Sequence, residues 1–295
     1  MQVADIKTLS LVILAMLAFA GNSILCRLAL AEGVIDAGSF TQIRLLSGAL
    51  TLLLLTSVTR TKQTETSTRT ALRRTWSTRS VLTALMLFGY AVTFSFSYVN
   101  IATGTGALIL FACVQFSMVT FHLASGNRMT PIEWLGLGIS LIGFAYLLLP
   151  DATRPDLLSA LLMAAAGIFW AVFTVLGKQE QHQPPVVTMT HSFCLAALFG
   201  LMTLSFTQQN MEIETKGALL ASASGAITSG LGYAIWYAAL PKLSLVKASV
   251  VQLSVPALAS IGGWVILTEP ITYSTSIATL LILGGIAIVF VVRDT

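Results

Sequence analysis

The stretch SVLTALMLFGYAVTFSFSYV, residues 80–99, runs for twenty residues without a charge. A helix needs about 20 consecutive apolar residues to cross the hydrocarbon of a bilayer, so this stretch reads as a membrane span. It also holds Gly89-Tyr90-Ala91, a tripeptide that recurs as Gly232-Tyr233-Ala234, 143 positions later and at the same place in its own apolar run. Thr130 with Thr272 and Gly143 with Gly285 repeat at an offset of 142. The order of apolar runs in residues 1–150 is reproduced in 151–295, so the chain reads as two copies of one unit.

Working outward, further apolar runs cover residues 8–30, 38–58, 102–122, 132–149, 156–177, 186–206, 217–239, 246–267 and 273–292, which makes ten expected spans. The composition agrees: of 295 residues 56% are hydrophobic and 9% charged, with a mean hydropathy of +0.85, whereas soluble chains carry about 25% charge. Each half holds five spans, an odd number, so the copies must insert with opposite orientation. The expected fold class is therefore an all-α integral membrane protein of ten transmembrane helices in two inverted five-helix repeats, the plan on which many secondary transporters achieve alternating access.

Charge fixes the orientation. The connection 59–79 holds Arg60, Lys62, Arg69, Arg73, Arg74 and Arg79 against one Glu, and the positive-inside rule keeps such a loop in the cytoplasm. Both termini then face the cytoplasm, with twelve cations on that side and only Arg154 and Lys216 on the other. The net charge of +4 is scattered in short connections rather than gathered in a stripe, which argues against a nucleic-acid partner. Cys26, Cys113 and Cys194 all lie in apolar runs and form no Cys-x-x-Cys pair, so they read as packing residues, and no metal or cofactor is expected. Lys7, the run 9–19 and Ala18-Phe19-Ala20 mimic a secretory signal, but the repeat requires this stretch as its first span.

The run 217–269, with Gly232-Tyr233-Ala234, Trp236-Tyr237-Ala238-Ala239-Leu240, Leu243-Ser244, Val255-Pro256-Ala257 and Thr268-Glu269-Pro270, resembles the second half of an EamA-type member of the drug/metabolite transporter superfamily. Trp170 and Lys178 fit the opening of that half. The first half departs from the pattern: the usual proline of the fourth span is missing around Val114 and Gln115, and the usual acid after it is Asn127, followed by Arg128. The resemblance implies a central cavity between the halves, lined chiefly by spans one, three, four, six, eight and nine. Its substrates range over amino acids, drugs, nucleotide-linked sugars and other metabolites.

An ionisable residue inside a span is costly unless paired or facing water, and so marks a site. Arg27 and Arg44 fall in the outer parts of spans one and two, where they would attract a carboxylate; alternatively each snorkels to the headgroups or pairs with Glu32 or Asp36. Glu269, at the outer end of span nine, reads as structural, and Pro270 marks a turn. No Asp or Glu lies in the middle of a span, which leaves His191 and His122 as the candidates for a proton site and favours exchange or downhill export. Tyr233, Trp236 and Tyr237 share one helical face, and Tyr90, Phe94 and Tyr98 form a stripe on another. With Trp170 and Phe173 these rings either line an apolar cavity, oriented by Asn22, Gln115 and Gln252, or pack against helices and lipid. Ala221, Gly225 and Ser229 read as a packing seam, and Pro256 should loosen span nine into a hinge.

The expected partners are a small-molecule substrate, the lipid of a bacterial inner membrane, and a proton or counter-substrate. Intramembrane proteolysis lacks its motifs: there is no Gly-x-Ser-Gly, no buried acid pair and no His-Glu-x-x-His. A receptor would call for a sizeable soluble module, and a channel for a filter. Arg27 and Arg44 without a central acid favour an exporter of amino acids or related metabolites over a multidrug or organic-cation extruder.

Overall fold

The computed structural model describes residues 6–60, 78–126, 128–148, 155–179, 184–207, 213–243, 248 and 251–291. The cation-rich connection 61–77, Asn127, Arg154, Lys247 and Arg293 lie outside them, as do the side chains of His122 and Lys178.

Among the described residues there is helix and no strand, as an apolar solvent requires, because a helix satisfies its own backbone polar groups. The helices are α1 (Ile6–Ala31), α2 (Ala37–Arg60), α3 (Thr78–Tyr98), α4 (Thr103–Ala124), α5 (Pro131–Leu148), α6 (Leu157–Gln179), α7 (Pro185–Thr207), α8 (Thr215–Lys242), α9 (Ser254–Leu267) and α10 (Tyr273–Val291). Seven of them, all but α5, α9 and α10, are long and apolar enough to cross a membrane; those three carry shorter apolar segments. Leu50, Leu54, Ile142, Leu161 and Leu219 are exposed, an outer surface suited to lipid.

The principal helix pairs are α5 with α10, α2 with α7, α4 with α9, α3 with α6, α1 with α8, α4 with α6, α1 with α9, α2 with α8 and α3 with α7. The residues matched at offset 142 play matched parts in this packing. Thr130 Oγ1 accepts the Glu133 N–H at the start of α5 (3.3 Å), and Thr272 Oγ1 accepts the Thr275 N–H at the start of α10 (3.1 Å), so both are N-caps. Gly143 and Gly285 both lie in the α5–α10 contact: a Cβ on Gly143 would stand 2.6 Å from Leu281 Cβ, and one on Gly285 2.5 Å from the Gly136 carbonyl oxygen.

Two elements are irregular. Within α8, Ser224–Leu231 forms a π-helix between the α-helical Thr215–Ala223 and Gly232–Ala239. Pro256, expected inside the helix of span nine, stands at its start instead. Leu253 is a turn, α9 begins at Ser254, and Pro256 sits in its first turn, where a missing N–H breaks no helical bond. The interruption precedes the proline. At the other end of α9, Thr268 adopts φ 55°, a left-handed conformation rare for a β-branched residue, and this turn brings the Glu269 N–H back onto the Gly263 carbonyl (3.2 Å).

Candidate functional site

Arg44 is 1% exposed, and its surroundings organise the centre of the molecule. Gly225 lets α8 approach α2 closely at this level, since a Cβ there would run into the Arg44 backbone and the Ser47 hydroxyl. Arg44 Nε donates to Ser229 Oγ (3.1 Å) and Nη2 to Tyr233 Oη (3.2 Å), while its guanidinium lies over the rings of Tyr90 (5.2 Å) and Phe94 (5.0 Å). Nη1 is buried without a hydrogen-bond partner. Arg44 thus neither snorkels nor pairs with Glu32 or Asp36. Glu32 meets Lys216, Asp36 accepts the Ser39 N–H at the start of α2 (2.9 Å), and among the described residues no acid reaches the Arg44 guanidinium.

Tyr90 and Tyr233, the central residues of the two matched tripeptides, meet hydroxyl to hydroxyl at 3.2 Å. Asn22 Nδ2 donates to Tyr90 Oη (3.2 Å), and Asn22 Oδ1 accepts from Ser224 (2.8 Å), Ser229 (3.3 Å) and Thr228 (3.4 Å). The π-helix explains this convergence. Ser224 and Ser229 are five residues apart, one π turn, whereas α-helical spacing leaves such residues on different faces. The Trp170 ring lies tilted at 5.1 Å from that of Tyr90 and edge-on at 4.8 Å from that of Tyr233, and Phe19 sets its ring edge-on to Trp170 and Tyr233.

These groups wall a cavity of about 10 Å³, room for roughly one water molecule. Its lining comes from α1, α3, α4, α6 and α8. Of the six spans expected there, five line the cavity; among the described residues of the ninth, Gln252, which precedes α9, accepts the Trp170 indole N–H at 3.2 Å. Asn22, Tyr90, Phe94, Trp170 and Tyr233 are therefore brought together on the wall, with Arg44 bonded behind them. Trp236 packs edge-on to Phe19, its own indole N–H buried without an acceptor, and Tyr237 donates to the Phe173 carbonyl (3.1 Å). Gln115 is buried and His191 half-buried, and neither lines the cavity.

Sequence reasoning missed Phe19, Ser23, Leu110 and Phe111 on the wall, and took Ser229 for packing alone. A cluster of hydroxyls at 224, 228 and 229 in one span was the available signal for the polar side.

Arg27 stands elsewhere, at the end where α1, α3 and α9 finish and α4 starts. Its Nε meets Glu269 Oε1 at 3.0 Å, and its Nη1 donates to the carbonyls of Tyr98 (2.9 Å) and Val99 (2.7 Å). Glu269 Oε2 accepts the Thr103 N–H at 2.7 Å. Glu269, and not Glu32 or Asp36, is the partner.

The hydroxyl pair gives an ordered expectation. Tyr233→Phe removes an acceptor from a buried cation and should cost about 2 kcal/mol of unfolding free energy, while Tyr90→Phe removes neutral contacts and should cost about 1. Denaturation of each variant in detergent checks the order, and equal costs would contradict the network.

A model of the EamA-like transporter family matches residues 157–291. An uncharacterised protein of Pseudomonas aeruginosa is 42% identical over 98% of this chain and 96% of its own length. The uncharacterised transporter YoaV of Bacillus subtilis is 22% identical over 84% of this chain and 85% of its own. A protein of Salmonella typhimurium named a probable amino-acid metabolite efflux pump is 23% identical over 69% and 75%. A solved crystal structure covers 95% of this chain and 98% of its own with a TM-score of 0.65 at 16% identity, which shows a shared fold.

Proposed function

The chain belongs to the EamA-like transporter family and is a transporter of the drug/metabolite superfamily; on that premise we propose that it exports small carboxylate-bearing metabolites, amino acids and their relatives, by alternating access across the inner membrane. The observation that carries the substrate reading is Arg44, a permanently charged side chain buried at the centre with no acid partner among the described residues. Such a cation costs several kcal/mol to bury and is best compensated by an anion that arrives with the substrate. The name of the Salmonella relative points the same way. A drug or organic-cation extruder is the rival, and a central guanidinium repels its substrate.

The fold that serves this function is two inverted five-helix repeats, residues 1–150 and 151–295, with both termini in the cytoplasm. Exchanging each of α1–α5 with its counterpart in α6–α10 turns the principal helix pairs into one another: α3 with α6 becomes α8 with α1, α4 with α6 becomes α9 with α1, and α2 with α8 becomes α7 with α3. The Tyr90–Tyr233 contact lies where a twofold axis relating the halves would pass. With no acid at the centre, exchange against a counter-substrate or downhill flux is the mode proposed, rather than proton symport through a carboxyl group.

The test is transport in liposomes reconstituted with the purified protein and loaded with labelled carboxylates, amino acids or organic cations. Saturable carboxylate or amino-acid efflux, inhibited by unlabelled carboxylate, is expected. Efflux of organic cations alone would overturn the assignment.

A further inference from the structure

We infer that the central site is built for carboxylates without an amino group, aryl-substituted or branched 2-oxo and carboxylic acids, in preference to the corresponding zwitterionic amino acids. This rests on the reading that the centre takes a carboxylate and narrows it. The ground is the balance of hydrogen-bond donors and acceptors around the cavity.

Donors are in surplus. Arg44 Nη1 and Trp236 Nε1, on residues packed behind the cavity wall rather than lining it, are fully buried N–H groups without an acceptor. The hydroxyls of Tyr90 and Tyr233 share a single contact, and each already accepts a bond from a nitrogen, Asn22 Nδ2 and Arg44 Nη2 respectively. Whichever way that contact runs, it uses one of the two hydroxyl protons and leaves the other for an incoming acceptor. Both tyrosines line the cavity, so that proton belongs to a residue that a ligand in the cavity would touch.

The amide acceptors at the cavity are already used, and buried acceptors without a partner among the described residues, such as Asp36 Oδ2 and Gln42 Oε1, belong to residues off its wall. Asn22 Oδ1, the side-chain carbonyl on the wall, takes hydroxyls from Ser224, Thr228 and Ser229. Gln252 Oε1 takes the Trp170 indole N–H. The faces of Tyr90 and Phe94, which would otherwise attract an ammonium, carry the Arg44 guanidinium. Among the described residues no acid lines the cavity: Glu269 is engaged with Arg27 and Thr103, Glu32 with Lys216, Asp36 through one oxygen with Ser39, Glu133 with Thr130 and Asp156 with Ser159, and Glu214 is exposed. An amino acid whose carboxylate reaches this donor cluster would bring its ammonium to roughly 6 Å from the guanidinium, where like charges at a protein's effective dielectric repel by enough to cost on the order of a hundredfold in affinity. Removing the amine removes that penalty and loses no contact; the surrounding Trp170, Phe19 and Phe94 rings are apolar, and they must part to admit an aromatic or branched body, since the cavity as it stands holds about one water.

The experiment holds the body constant and varies the headgroup. Thermal stabilisation of the detergent-purified chain, and competition for transport in liposomes, are measured with 3-phenylpropanoate, phenylpyruvate, phenylalanine and phenethylamine, then with 4-methyl-2-oxopentanoate and leucine. The amine-free acids are expected to bind at least tenfold tighter than the matching amino acids, and phenethylamine not at all. Amino acids binding as tightly as the acids, or no binding by any acid in either set, would overturn the inference. In the first case the carboxylate reading of the transporter survives; stabilisation by phenethylamine alone would overturn that reading as well.

Discussion

Arg44→Gln should lower carboxylate transport by a hundredfold or more while leaving the melting temperature unchanged or raising it. The two halves of that expectation come from the same fact. A guanidinium 1% exposed, held by two neutral hydroxyls and two ring faces, is under-compensated for the hydration it gave up. Replacing it with a neutral amide removes the desolvation cost, and a glutamine can still bond one hydroxyl of the Ser229–Tyr233 pair. A substrate carboxylate, in contrast, loses the only positive charge described at the centre, and charge-assisted bonds of this kind are worth about 1.5–3 kcal/mol each. Arg44→Lys should fall between, since it keeps the charge but cannot hold two hydroxyls and present a further N–H in one plane. Stability rising as activity falls is the signature of a residue kept for function. A variant that unfolds yet transports normally before it does so would mean that Arg44 is structural and that the substrate binds elsewhere.

How much of this was legible beforehand depends on the range of the interaction concerned. The recurrence of Gly-Tyr-Ala could be read directly, and the two tyrosines do meet; the caps at Thr130 and Thr272 and the close glycines at 143 and 285 were also marked by repetition alone. Arg44 was marked as a charge in a span, but its direction was not, because the alternatives at Glu32 and Asp36 are near in sequence and those acids have other partners. Glu269 lies 242 positions from Arg27, a pairing that no local pattern announces. Ser229 was hidden by the assumption of α-helical spacing: four-residue steps align it with Ala221 and Gly225, and only the π segment turns Ser224 and Ser229 together onto Asn22. The expectation that Pro256 lies inside the helix of span nine has a similar cause, since a proline near a helix start is indistinguishable in sequence from one in its middle until the start is known.

Glu269→Gln should open the end of the molecule at which α1, α3, α4 and α9 meet, taken here as the outer end. Glu269 joins three elements there, holding Arg27 of α1 and the Thr103 N–H of α4, while Arg27 in turn holds two carbonyls at the end of α3. The pair is 18% and 15% exposed, between the screened surface case and the buried one, so its loss should cost about 2 kcal/mol, roughly a thirtyfold shift towards an open outer end. The sequence does not repeat this acid in the first half: at the offset of 142 that relates Thr130 to Thr272, position 127 carries Asn where 269 carries Glu. Cys26, fully buried beside Arg27, supplies a native reporter. In a background with Cys113 and Cys194 replaced by Ala, a membrane-impermeant maleimide added from outside should label Cys26 at least tenfold faster in Glu269→Gln than in the parent. The charge swap Arg27→Glu with Glu269→Arg should restore only part of the protection, because a carboxylate at 27 cannot donate to the Tyr98 and Val99 carbonyls and an arginine at 269 cannot accept the Thr103 N–H. Labelling unchanged by Glu269→Gln would show that apolar packing, and not this ion pair, keeps the outer end closed.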